Sequence, residues 1–276
     1  MPHQPWDSVP KIDQAHYENK TLTIPNLSSF PEITPERVTP KQLQNITRKY
    51  YANVTCVDRN IGIVLDELDV LGLTENTIVI FIGDNGYMAG QHGLLGKGNA
   101  RNLYIDESES YPGRKYGTRA NMFDNSLLVP FIISWPGVVK SGTVNNALVS
   151  TLDILPTLAE INGIAKEDLE IDGKSLLPLL RGNSDKNWRK AYYDTYDKIH
   201  IGDKVFMRMI RTNDWKLVLY EDENGQPLDN GSQNELFSLK KDPEELKNIY
   251  GTGRAISMQK KLESDLRIWM YKNGLK

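Results

Sequence analysis

The stretch NTIVIFIGDNGYMAGQHGLLGKG, residues 76–98, decides how the rest of the chain is read. Thr77 to Ile82 form an unbroken apolar run, rich in β-branched residues and without polar alternation. That is the pattern of a strand buried on both faces. The run stops at Gly83, and an acid, an amide, a histidine and a lysine follow among several glycines. Ligands of open α/β sheets gather beyond strand ends of this kind. Asp84 and Asn85 offer two hard oxygen donors, suited to Ca²⁺ or Mg²⁺ and poor for softer metals. Asp-Asn-Gly is also a common turn, so these residues by themselves leave both readings open. Lys97, between Gly96 and Gly98, can approach an anion closely, and His92 can serve as an anion partner or a proton donor.

Upstream, Leu43, Ile46, Tyr50, Val54, Val57 and Ile61 recur at helical spacing. The spacing predicts a long amphipathic helix, with Thr39 as N-cap, Pro40 at its first position and Gly72 at its C-cap. A helix feeding a doubly buried strand predicts a parallel α/β sheet. Residues 129–137 (VPFIISWPG) read as a second buried strand and STLDILPTLAEINGI as a short helix closed by Gly163. From about residue 188 the chain breaks into short runs such as VFMRMIRT and WKLVLY, which predict antiparallel strands, followed by a helix through Ile256–Met270. Two domains follow from this texture, 1–187 and 188–276.

A net charge of −3 leaves no footprint for nucleic acid. No apolar stretch approaches the roughly 20 residues of a membrane span, and MPHQPWDSVP lacks the pattern of a signal peptide. The single cysteine, Cys56, excludes an intrachain disulfide.

Taken together the segments resemble the sulfatases, members of the alkaline-phosphatase-like superfamily. PHQPW looks like the family's histidine-bearing loop, and the helix leading into IVIFIGDNG resembles its central helix and metal-bearing strand. QHGLLGKG is similar to its lysine loop, MFDNSLLVPFIISWPG to the segment after it, and DGKSLLPLL, WKLVLY and ELFSLKKDPEELKNI to its usual tail. The resemblance implies an α/β fold: a partial alkaline-phosphatase-like core with a mostly parallel sheet flanked by helices, plus a smaller C-terminal α+β subdomain with an antiparallel sheet. It implies a metal-dependent hydrolase of sulfate esters, with Asp84 and Asn85 as ligands of Ca²⁺ (or Mg²⁺). Lys97 would bind the sulfate, and His3 would contact it or protonate the leaving group. His92 has a less direct counterpart, as a pocket residue. The implied partner is a sulfated small molecule or sulfated glycan, and the implied location is extracytoplasmic, periplasmic or secreted.

The family's nucleophile is a formylglycine made from Cys-x-Pro-x-Arg or Ser-x-Pro-x-Arg, upstream of the histidine loop and beside a paired-aspartate metal motif. Cys56 is followed by VDR and sits mid-helix, so it does not fit. Ser110 to Arg114 (SYPGR) fits formally but lies in a polar insertion after the strand, and reads as a surface loop. Of the insertion's cations, Arg101, Arg114, Lys115 and Arg119 would suit an acidic sugar, although a solvated charged loop is the simpler reading. The formylglycine is therefore expected in an upstream segment, and this chain is expected to have little turnover alone. A phosphodiesterase or phosphonate hydrolase on the same scaffold, and a non-catalytic anion- or glycan-binding pseudoenzyme, are the competing readings.

Overall fold

The computed structural model describes residues 6–25, 38–103, 118–164, 170–183, 186–200, 203–228 and 234–275. Its helices are α1 (Lys11–Ala15), α2 (Pro40–Val70), α3 (Asp124–Leu127), α4 (Ile154–Ile161), α5 (Leu177–Leu180) and α6 (Ile256–Lys272). Its strands are β1 (Val79–Ile82), β2 (Met88–Ala89), β3 (Leu94–Gly96), β4 (Asn99–Asn102), β5 (Thr118–Ala120), β6 (Phe131–Ser134), β7 (Tyr192–His200), β8 (Asp203–Arg211), β9 (Lys216–Glu221) and β10 (Glu235–Phe237). The chain forms two compact units. One comprises residues 1–62, 85–129 and 193–276; the other comprises 63–84 and 130–192.

Helix α2 is built as its sequence predicts. Thr39 Oγ1 accepts from the Gln42 N–H at 3.2 Å while Gln42 Oε1 accepts from the Thr39 N–H at 2.8 Å, a reciprocal cap that satisfies two otherwise orphaned donors. At the far end Gly72 takes φ +66°, and Leu73 N–H reaches back to Leu68 C=O, closing the helix. Its apolar face is buried only in its first half, at Leu43, Thr47 and Ala52.

In the first unit, β10, β9, β8 and β7 lie side by side in that order. All of β9 is buried, and α6 sets Leu262, Leu266 and Met270 into the core. A second small sheet, ordered β2-β3-β4-β5, carries the glycine-rich stretch. Met88, Leu94 and Ala100 of this sheet meet Phe123, Phe237 and Leu239 in one apolar cluster, so the glycine-rich stretch is fastened to the C-terminal sheet. Each large side chain buried there is worth about 1.5–3 kcal/mol.

In the second unit, β1 pairs with β6 in the register Val79↔Ser134 to Ile82↔Phe131. The pairing is antiparallel, as is every other pairing whose register is described. The expected mixed α/β class holds, but the mostly parallel sheet is not seen among the described residues. The reason is physical: an apolar run preceded by a helix reports burial, not strand direction. The β1 residues are half-buried rather than enclosed on both faces. The 3-10 turn Thr151–Asp153 that leads into α4 is capped by Ser150 and Asp153 in a reciprocal box, and Pro156 lies in the first turn of α4 as predicted. Asp153 is fully buried, and it accepts both Arg189 guanidinium nitrogens (2.5 and 2.6 Å) and the Lys174 N–H (2.8 Å). Gly173 lies just before that contact; a Cβ there would stand 2.0 Å from Leu152 C=O, which explains why DG precedes KSLLPLL.

Candidate functional site

β1 ends at Gly83, and the chain then turns through Asp84, Asn85 and Gly86. Asp84 is exposed, Asn85 half-buried and Gly86 buried. Gly86 is glycine for want of space, since a Cβ would stand 2.1 Å from Asn125 C=O. Its N–H donates to Ser126 C=O at 2.9 Å, which seats the turn on α3. The Asn85 amide nitrogen donates to Gly86 C=O at 2.8 Å, leaving Asn85 Oδ1 aimed away from its own turn.

That oxygen meets Lys97. The lysine sits at the tip of the β3–β4 hairpin, where Gly96 takes φ +122° and packs against Ala100. Gly98 lies under the Tyr196 ring, with room for no side chain without displacing it. Lys97 Nζ donates to Asn85 Oδ1 at 2.7 Å, so two predicted site residues twelve apart in sequence are in contact. The hairpin itself is not legible beforehand, because strands of three or four residues rich in Gly and Asn carry little period-2 signal.

His92 is placed differently. It is 1% exposed, takes φ +55°, and stacks on Phe123 with ring centroids 3.8 Å apart. Its Nε2 lies 3.2 Å from Asn125 Oδ1. Burial, reinforced by the charges of Arg119 and Lys216, pulls its pKa down to about 4, so the ring is neutral at physiological pH. His3 lies outside the described residues, as do Ser110, Arg114 and Lys115. Trp6, three positions after His3, is described: it packs edge-on to Tyr50 and Tyr87, and Tyr87 stacks on Tyr50. Arg119, read from sequence as a loop cation, is buried, ion-paired to Glu235 at 2.8 Å and laid over the Phe123 ring.

Beneath the turn is a group of charges that sequence reading passes over. Lys216 is wholly buried, with Nζ 2.9 Å from Asp124 Oδ1 and 2.7 Å from Glu245 Oε1. Arg211 adds a forked contact to Asp124, and Glu245 Oε2 accepts the Asp124 N–H at 2.6 Å. Burial alone would raise the Asp124 carboxyl, but Lys216 and Arg211 outweigh it and hold the group below its ordinary range. Glu245 goes the other way, pushed up to about 7 by burial. The available signal was Lys216 itself, a cation opening the otherwise apolar run KLVLY.

As a metal shell, Asp84 and Asn85 are right in kind and short in number. A Ca²⁺ ion takes about six to eight oxygens, and among the described residues no cluster of three or more His, Cys, Asp or Glu is arranged to hold a metal. That Lys97 places its ammonium on Asn85 Oδ1 shows this oxygen attracts positive charge. The residues fit as members of a larger shell.

The Sulfatase family model matches residues 2–164, and the model of the C-terminal region of N-sulphoglucosamine sulphohydrolase matches residues 114–272. The chain belongs to the sulfatase family. It is 30% identical to an N-acetylglucosamine-6-O-sulfatase of Bacteroides thetaiotaomicron, over 93% of this chain and 39% of that one. It superposes on BT4656 in complex with its substrate D-glucosamine-2-N,6-O-disulfate, with a TM-score of 0.67 and 27% identity, covering 84% of this chain and 41% of that one. It also superposes on a phosphonate monoester hydrolase of Agrobacterium radiobacter, with a TM-score of 0.67, 25% identity and coverage of 85% and 43%. The chain therefore spans about two fifths of the length of these relatives. Among the described residues, no helix is long and apolar enough to cross a membrane.

Proposed function

We propose that this chain carries part of the active site of a sulfate-ester hydrolase, acting on a sulfated glycan or sulfated small molecule in an extracytoplasmic compartment. The observation that carries the reading is the contact between Lys97 and Asn85 beyond the end of β1. Asp84 and Asn85 would hold Ca²⁺ or Mg²⁺, which supplies Lewis-acid stabilisation of a charged oxygen when bound. Lys97, a compact cation on a long stem, can leave the Asn85 oxygen to pair with a sulfate group. There it holds the sulfuryl group in place and offsets the negative charge its oxygens already carry, while the charge released by the breaking ester bond goes to the leaving oxygen. His3 would contact the sulfate or deliver a proton to the leaving alcohol oxygen. His92, buried and neutral, serves the pocket best as packing behind α3. Overall, water and the ester yield an alcohol and sulfate, and the nucleophile would be the formylglycine that the family resemblance implies. Glycan sulfates are favoured because the matched relatives include an N-acetylglucosamine-6-O-sulfatase.

The similarity to a phosphonate monoester hydrolase keeps phosphoryl chemistry as the second reading. The test compares p-nitrophenyl sulfate with an aryl phosphodiester, in the presence of Ca²⁺, for the native chain, Asp84→Ala and Lys97→Met. This chain alone is expected to turn over neither substrate measurably, yet to bind inorganic sulfate, with binding lost in Lys97→Met. Sulfate-ester turnover abolished by Asp84→Ala would overturn the expectation of an inactive half-site. Sulfate binding that survives Lys97→Met would remove the lysine from the site.

A further inference from the structure

Asn121 has no place in the chemistry proposed above, yet it is 1% exposed and its side-chain amide is paired at both the nitrogen and the oxygen. Its backbone N–H donates to Gly98 C=O at 2.9 Å, and its side-chain nitrogen donates to Lys97 C=O at 3.0 Å and, more weakly, to Arg119 C=O at 3.4 Å. Its Oδ1 accepts from Ser126 Oγ at 2.8 Å and Phe123 N–H at 3.3 Å. Ser126 is the residue whose carbonyl takes the Gly86 N–H. One buried amide thus grips the backbone of the lysine loop on one side. Through a single intermediate, it grips the turn bearing Asn85 on the other.

The magnitudes explain why such a grip is needed. A lysine side chain loses about 1.5–2 kcal/mol of rotamer entropy when it is fixed. One exposed hydrogen bond returns only about 1 kcal/mol. The Lys97–Asn85 contact persists only if both backbones are already held at the right spacing. A buried primary amide also costs several kcal/mol unless fully paired, so an arrangement that spends it between these two segments ties their positions together.

We propose that Asn121 is a positioning residue of the site, holding the lysine loop and the Asn85–Gly86 segment at the spacing that keeps Lys97 on Asn85. The proposal rests on the site reading above for its functional meaning, but not for its test. Trace acetylation of the full chain, read by mass spectrometry, reports how available each lysine amine is. In the native protein Lys97 is expected to react about fivefold more slowly than the exposed Lys41 and Lys260, the effect of one hydrogen bond of about 1 kcal/mol. Asn121→Ala should bring Lys97 up to their rate. If that variant does not fold, Ser126→Ala, which only frees Asn121 Oδ1, should give a smaller rise in the same direction.

A general loosening is separated from positioning by the background. In Asn85→Ala, where the contact is already gone, Ser126→Ala should add nothing to the Lys97 rate. An unchanged Lys97 rate in the folded variants overturns the proposal, and so does an equal further rise in the Asn85→Ala background. Repeating the native measurement with inorganic sulfate tests the anion site separately. Absence of protection at Lys97 would count against the sulfate reading while the acetylation result without anion still decides the role of Asn121.

Discussion

Lys216→Met is expected to destabilise the protein by about 3–5 kcal/mol, read as a shift in the urea midpoint at pH 7. The substitution keeps the length of the stem and removes the charge. Asp124 would retain Arg211, but Glu245 would lose the cation 2.7 Å from it while staying buried. The loss comes from the attraction of the ammonium for Asp124 and from leaving two buried carboxyls facing one guanidinium, with Glu245 taking up a proton rather than standing charged. The pH dependence follows from Glu245. Its folded pKa of about 7 lies above the ordinary 4.5, so the folded state binds the proton more tightly than the unfolded chain. The stability this contributes is full below pH 4.5 and is lost as pH rises through 7, by on the order of 3 kcal/mol. Asp124 has the opposite sign, its contribution disappearing only in acid as pH falls through its lowered pKa. The stability of the native protein relative to Glu245→Gln should therefore fall between pH 5 and pH 8. A pH-independent difference would mean that Glu245 is ionised throughout, and a mild Lys216→Met would mean that the group relaxes when opened.

What the sequence could and could not show divides along physical lines. Helix α2 was legible at both ends because its caps are local: Thr39, Pro40, Gln42 and Gly72 act on their own neighbours. The turn after β1 was legible as a place where polar groups gather, and Lys97 as a residue with room around it. The direction of the β1–β6 pairing was not, since it depends on a partner about fifty residues away that shows the same apolar run. Asn121 and Lys216 were missed for a related reason. Each is an ordinary polar residue beside an apolar run, and only the close approach of distant segments turns it into a buried, paired group. Arg119 shows the converse: a cation in a polar stretch whose partner, Glu235, stands 116 positions away.

Gly86→Ala should produce a loss of about 3 kcal/mol or more, together with a Lys97 amine that acetylates like the exposed lysines. The added Cβ would stand 2.1 Å from Asn125 C=O and 2.8 Å from two neighbouring carbonyl carbons. All three atoms are backbone, so no side chain can swing aside. Nor can α3 easily retreat, because Asp124 at its start is held by Lys216, Arg211 and Glu245, and Ser126 by Asn121. The turn itself has to move, which breaks the Gly86–Ser126 hydrogen bond and carries Asn85 away from Lys97. Gly62→Ala supplies the contrast. That glycine lies inside α2 with nothing within 4 Å of its would-be Cβ, so alanine should stabilise the helix by about 1 kcal/mol. The two substitutions are chemically identical, so opposite shifts in urea midpoint would isolate the role of space at the turn. If Gly86→Ala unfolds at the native midpoint with Lys97 still protected, α3 is softer than its bonding implies, and the turn is not held by it.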